Sequence, residues 1–165
     1  MKPLEPPDSH YWNAAQGWLG LGDWRAAAHE LAQLGADQQQ HPEVLMVRWA
    51  IEAAAGQWEA SLDTASALIQ VAPEQVFGWL HRSYALHELQ RTPEARDNLL
   101  PVLERFPDDA TLRYNLACYE CQLGRLDLAR QWLDRAFALD GAGQFKRLAL
   151  TDPDLTPLRE VSGPG

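Results

Sequence analysis

Gly22-Asp23-Trp24 recurs as Gly56-Gln57-Trp58 and again as Gly124-Arg125-Leu126. Gly56 follows Gly22 by 34 residues, and Gly124 follows Gly56 by twice that step. The missing middle member falls at Gln90, followed by Arg91-Thr92-Pro93. Self-similarity at a fixed period marks a repeat architecture and outranks any single motif. Other columns keep the same step. Ala27, Ser61, Ala95 and Ala129 form a small-residue column. Leu31, Ala65, Leu99 and Leu133 form an apolar one, and Leu34, Leu68, Val102 and Ala136 another. Pro73 and Pro107 each close a repeat, whereas Gln39 and Gly141 stand at the outer two closures, with Pro42 three residues late.

The physical reading is of paired helices. A turn glycine takes positive φ and ends the first helix cheaply. Small residues let two helices approach closely, and stacked neighbours complete a core that one pair leaves half exposed. The spacing predicts helices over 10–20 and 24–35, 43–55 and 58–71, 76–89 and 93–105, and 110–122 and 126–139. Thr92-Pro93-Glu94 reads as a helix start, with Thr92 as N-cap and Pro93 at the first helical position. Pro101 lies inside that helix without an N–H and predicts a kink or a loosened turn.

A 34-residue period with these columns resembles the tetratricopeptide repeat (TPR), a helix-turn-helix unit. The resemblance covers residues 8–143 as four repeats: 8–41, 42–75, 76–109 and 110–143. The family's early aromatic or apolar residue is matched by Tyr11, Leu45, Trp79 and, less well, Arg113. Its small residue four positions later is matched by Ala15, Ser83 and Ala117, with Trp49 breaking the column. The fold so implied is all-α: a right-handed helix-pair solenoid of four TPR-like repeats with a C-terminal capping helix. Residues 1–7 read as an extended or disordered proline-rich N-terminal tail. Residues 144–160 read as a capping helix and turn over the last repeat, and 161–165 as a flexible tail.

The composition narrows the function classes. The chain has 165 residues, 46% of them apolar and 22% charged, which are globular proportions. Its 23 acidic and 14 basic side chains give a net charge of −9. That balance opposes sequence-independent nucleic-acid binding and an anionic membrane surface. No apolar run approaches the roughly 18 residues a membrane span requires, and Met1 to Pro7 has no apolar centre of the kind a secretory signal carries. Two cysteines suit a reducing compartment, so a cytoplasmic location is expected.

In this family the first helices line a concave face where a partner's peptide or helix usually binds. On that resemblance the groove columns are Trp12, Met46, Leu80 and Tyr114; Gln16, Ala50, Tyr84 and Cys118; and Leu19, Ala53, His87 and Cys121. Phe77 stands at the entry, and Asn13, His81 and Asn115 flank it. One subgroup clamps a C-terminal carboxylate with Lys, Asn and Arg at fixed groove positions. Those positions here hold Trp, Gln, Val, Phe and His, so the clamp is missing. The expected site is therefore a peptide-binding groove of Trp12, Asn13, Met46, Phe77, Leu80, Tyr84, His87, Tyr114, Asn115, Cys118 and Cys121. An apolar groove with amide rims suits an amphipathic helix or an extended apolar segment. Aromatic residues at helical spacing are also ordinary core residues, and the chain's own N-terminus or C-terminal tail is an alternative occupant.

Cys118-Tyr119-Glu120-Cys121 sits in the middle and end of a helix, away from the N-terminal dipole that lowers a redox thiol's pKa. His87 lies one repeat earlier in the column of Cys121, which leaves a Cys118, Cys121 and His87 metal or thiol site as an alternative of another class. The histidines form no catalytic set, and Gly17-Trp18-Leu19-Gly20 ends a helix instead of opening one, so no phosphate loop is present. Asp108-Asp109 and Asp152-Pro153-Asp154 flank helix starts and read as N-caps. The expectation is a protein-interaction adaptor or scaffold, not an enzyme, with a protein or peptide partner and no cofactor, metal, nucleic acid or membrane. A small secretion-type chaperone, and a homodimer that buries the groove, are the alternatives among binding proteins.

Overall fold

The computed structural model describes residues 3–161, which form ten α-helices and no strand. Met1, Lys2 and the expected tail residues 162–165 lie outside the described residues. The helices are α1 (Asp8–Gly20), α2 (Trp24–Leu31), α3 (Pro42–Ala54), α4 (Trp58–Val71), α5 (Val76–Glu88), α6 (Thr92–Leu99), α7 (Ala110–Gln122), α8 (Leu126–Leu139), α9 (Gln144–Ala149) and α10 (Thr156–Val161). None is long and apolar enough to cross a membrane. The chain divides into two compact units between Ala85 and Leu86, within α5.

The turn column behaves as a glycine column should. Gly22, Gly56 and Gly124 have φ of 80°, 70° and 75°. Gln90, where the glycine is missing, adopts the same left-handed conformation with φ 63°. In all four turns the N–H of the following residue reaches back to the carbonyl five residues earlier: Asp23 to Trp18, Gln57 to Glu52, Arg91 to Leu86, and Arg125 to Glu120. This is the Schellman closure of a helix, and it is retained at Gln90 at the cost of placing a side chain in the left-handed region.

In the first unit, α1 packs on α2 and α3 on α4. Ala15, Ala27, Leu31, Leu34, Val44, Val47 and Ile51 form one buried cluster, and Leu45, Leu68 and Ala72 another. Leu4 packs against the first cluster, and Pro6-Pro7 form a turn into α1. The expected extended tail is therefore tied down from Leu4 onward, because burying that leucine offsets its ordering. The second helix of the first pair stops at Leu31, short of the expected 35, and a 3-10 turn at Ala36–Gln38 follows. Asp23 caps α2 through Ala26 N–H at 2.9 Å. Gly78 is buried in α5, where a Cβ would stand 2.9 Å from Ile69 Cγ1 of α4. Its missing side chain is what allows that approach.

In the second unit, α7 packs on α8 and α6, and the C-terminal segment covers it further. Eight of its residues are buried, from Leu112 to Cys121, and they lie all round the helix. Such a distribution belongs to a central helix, not to one with a wet face. Asp109 caps α7 through Leu112 N–H at 2.9 Å, and Asp152 caps the 3-10 turn Pro153–Leu155 through Asp154 N–H at 3.0 Å. The start of α6 differs from expectation. Thr92 is its first helical residue and Arg91 its N-cap. The Thr92 hydroxyl is instead 2.9 Å from His87 Nδ1. Pro101 acts as its missing N–H requires: α6 ends at Leu99, and a 3-10 helix, Leu100–Glu104, carries the chain on.

Candidate functional site

The first unit carries a cavity of about 580 Å³. Trp12, Gln16 and Leu19 of α1 line one side, and Met46 and Ala50 of α3 the next, each from the columns expected to face a groove. Phe77 and His81 of α5, Gln75 and Glu43 complete the wall. The helical period places these side chains on one face because positions three and four apart lie above one another. Two polar side chains of α1 are engaged within the protein. Trp12 Nε1 donates to the Glu43 carbonyl at 3.1 Å, and Asn13 Nδ2 to the Ser9 carbonyl at 2.7 Å.

Trp49 explains how the second repeat accommodates a bulky residue in its small column. Its ring is buried and lines the cavity. It meets His81 edge-on at 4.0 Å, Phe77 at 6.3 Å and Tyr84 at 6.1 Å, while His81 stacks on Phe77 at 3.6 Å. Edge-to-face contacts of this kind add to the burial of the rings. The broken column was the available signal for this residue, since a large ring there has to find space toward a neighbouring helix. Burial pushes the His81 imidazole down to about 4, although its bond to the Phe77 carbonyl works the other way. His81 is therefore neutral at pH 7, and Glu43 alone among the lining residues carries a formal charge.

Not every expected groove residue stands in this cavity. Leu80 is half-buried outside it, and Tyr84 is 41% exposed, packed against Trp58 at 5.7 Å. The members from the second unit have a different setting. Tyr114, Cys118 and Cys121 are buried, covered by the chain's own C-terminal segment. Tyr114 donates its hydroxyl to Asp152 Oδ2 at 2.8 Å and stacks on Phe145 at 4.8 Å. The Cys118 thiol lies 3.9 Å from the same Asp152 oxygen, and Gln122 Nε2 donates to the Asp154 carbonyl at 2.8 Å. His87 Nε2 is 3.3 Å from Asp154 Oδ2. Asn115 is half-buried on α7. Leu155 and Leu158 are buried, and Arg159 closes the segment on itself through the carbonyls of Ala149 and Asp152.

The cysteine pair is not arranged for redox work. Burial, then the Asp152 and Asp154 carboxylates, push the Cys118 thiol up. Burial raises Cys121 as well. A protonated buried thiol is a poor nucleophile. Nor do Cys118, Cys121 and His87 form the donor group considered from the sequence. Among the described residues, the close grouping of donor atoms is Cys118 with Asp152 and Asp154.

Paired helices, Schellman turns, small-residue columns and a covered last pair together define the tetratricopeptide-repeat fold. Solved structures agree. A thermophilic TPR protein of Thermus thermophilus superposes with a TM-score of 0.77 at 19% identity, over 94% of this chain and 83% of that one. MamA from Desulfovibrio magneticus RS-1 superposes with a TM-score of 0.73 at 17% identity, over 97% and 92%. At such identities the likeness establishes the fold. No family model matches the chain, and no curated protein matches it.

Proposed function

We propose that this chain is a protein-interaction adaptor that takes the apolar side of an amphipathic helix, or a short apolar peptide, in the cavity of its first unit. The observation that carries this reading is the wall itself. Equivalent positions of α1 and α3 converge on one cavity with an aromatic and aliphatic lining and a single carboxylate. A concave, largely apolar site with a few polar groups is what a peptide anchor requires. The second unit supplies an internal precedent for the chemistry. There, the corresponding columns meet a short helical segment through Tyr114 and Cys118 at Asp152, with Gln122 bonding its backbone, while Leu155 and Leu158 of that segment are buried. Gln16 and Gln75 offer similar amides in the open cavity.

Charge narrows the partner. Residues 1–85 carry ten acidic and four basic side chains. Their field favours a segment whose polar side is basic, through faster encounter more than through contact energy. The test places a photo-crosslinking residue at Ala50, with Met46→Glu as the competing variant. The expected result is a crosslinked partner peptide with apolar residues at helical spacing and basic flanks, lost when Met46→Glu is added with helical circular dichroism unchanged. Crosslinks that persist in the Met46→Glu protein overturn the assignment of the cavity.

A further inference from the structure

His87, Cys118, Asp152 and Asp154 come from three separate pieces of the second unit: the end of α5, the middle of α7 and the turn before α10. The Cys118 sulfur and a carboxylate oxygen from each aspartate lie within 4.8 Å of one another. Cys118 Sγ is 3.9 Å from Asp152 Oδ2, and His87 Nε2 is 3.3 Å from Asp154 Oδ2. A tetrahedral zinc ion with bonds of about 2.0–2.3 Å sets donor-to-donor edges of about 3.3–3.5 Å. The Cys118–Asp152 edge needs only a small contraction. His87, which stands outside that three-donor grouping, already meets Asp154 at such a length and has to swing toward the other two donors to complete a four-donor shell.

The far atoms of these side chains are held as well. His87 Nδ1 meets the Thr92 hydroxyl at 2.9 Å, which directs Nε2 toward Asp154. The far oxygen of Asp152 accepts from Asp154 N–H at 3.0 Å, and the oxygen facing Cys118 also accepts from Tyr114 Oη at 2.8 Å. Outer hydrogen bonds of this kind orient metal ligands and tune their affinity. One thiol, one imidazole and two carboxylates form a mixed donor set suited to zinc or a neighbouring divalent transition ion.

We propose that the second unit binds one such cation through Cys118, Asp152, Asp154 and His87, and that the ion pins the C-terminal segment onto α7. On binding, the Cys118 thiol releases its proton to solvent and the sulfur coordinates as thiolate. The carboxylates that oppose ionisation of the thiol in the free protein then share a positive charge with it. No bond to Cys121 is needed.

The test titrates the full chain, freed of metal by chelator, with cobalt(II) and then zinc(II). The expected result is one cobalt per chain with a near-ultraviolet thiolate charge-transfer band, displaced by zinc, and a rise in melting temperature with zinc. Cys118→Ser abolishes the band, Asp154→Asn and His87→Gln weaken binding, and Cys121→Ser leaves it intact. Tyr114→Phe keeps every donor and weakens affinity by about 10–100-fold. Asp154 and His87 are partly exposed, so their variants test the site even if Cys118→Ser folds poorly. Absence of the band in the wild-type protein, or an equal band in Cys118→Ser, overturns the proposal.

Discussion

In the first unit, Trp12, Gln16 and Leu19 look into a cavity of about 580 Å³. In the second, the corresponding Tyr114, Cys118 and Cys121 lie beneath the Asp152–Leu158 stretch, all three buried. The same repeat positions thus serve two ends. The difference shows that the repeat frame fixes where a side chain points but not what it meets. Sequence outside the frame decides that. In the second unit it is a turn with two carboxylates, one of them a cap, and two leucines; in the first, Trp49 and Phe77 form a wall and leave the space beside them open.

The largest effect is expected at that wall. Trp49→Ala should cost about 3–5 kcal/mol, as deletion of a buried aromatic ring does. Urea unfolding checks this, and a cost below the effect of an ordinary surface change would remove Trp49 from the wall. Leu155→Ala attacks the other side of the comparison. It should cost about 2–5 kcal/mol of docking, and it should open the second unit's concave positions as the first unit's are. Alkylation of Cys118 by a thiol reagent should become faster, together with amide exchange in α10; unchanged alkylation would mean that the leucine is not the cover's anchor.

Acid distinguishes the two regions next. His81 titrates near 4 when folded against 6.5 for an unperturbed imidazole. The unfolded chain therefore binds the proton first. His81's contribution is fully present above about pH 6.5 and is lost as pH falls toward 4, amounting to up to about 3 kcal/mol. A His81→Phe variant should flatten the pH dependence of stability in that window. The smallest expected effect lies at the turn column: Gln90→Gly should stabilise by about 1 kcal/mol by removing a side chain from the left-handed region. Thermal melting measures it, and a loss of stability would show that the Gln90 side chain has a compensating contact.

Much of the fold was legible because it repeats. Helices α4, α7 and α8 begin and end where the 34-residue spacing puts them, since glycine, small and apolar columns state the same boundaries independently. Single-copy features were harder to read. Nothing in Gln90 announces a left-handed turn, because neighbouring repeats alone define that position. Thr92 carries a capping signature, yet the chain turns at Arg91 and leaves the threonine hydroxyl for His87. The columns located the cavity residues of α1 and α3 but did not distinguish open positions from covered ones. That distinction depends on Asp152, Asp154, Leu155 and Leu158, which lie beyond the last repeat and have no counterpart earlier in the chain.

The two indoles at the cavity also give it an optical voice. Trp12 is tethered to a backbone carbonyl on the cavity's edge, and Trp49 stands edge-on to an uncharged imidazole 4.0 Å away. On the proposed function, a helix entering beside the half-buried Trp12 would displace water from that chromophore and shift its emission toward the blue. Protonation of His81 brings a charge against Trp49 and dims it. Occupancy and acidity therefore leave different fluorescent signatures, readable without a dye or a label.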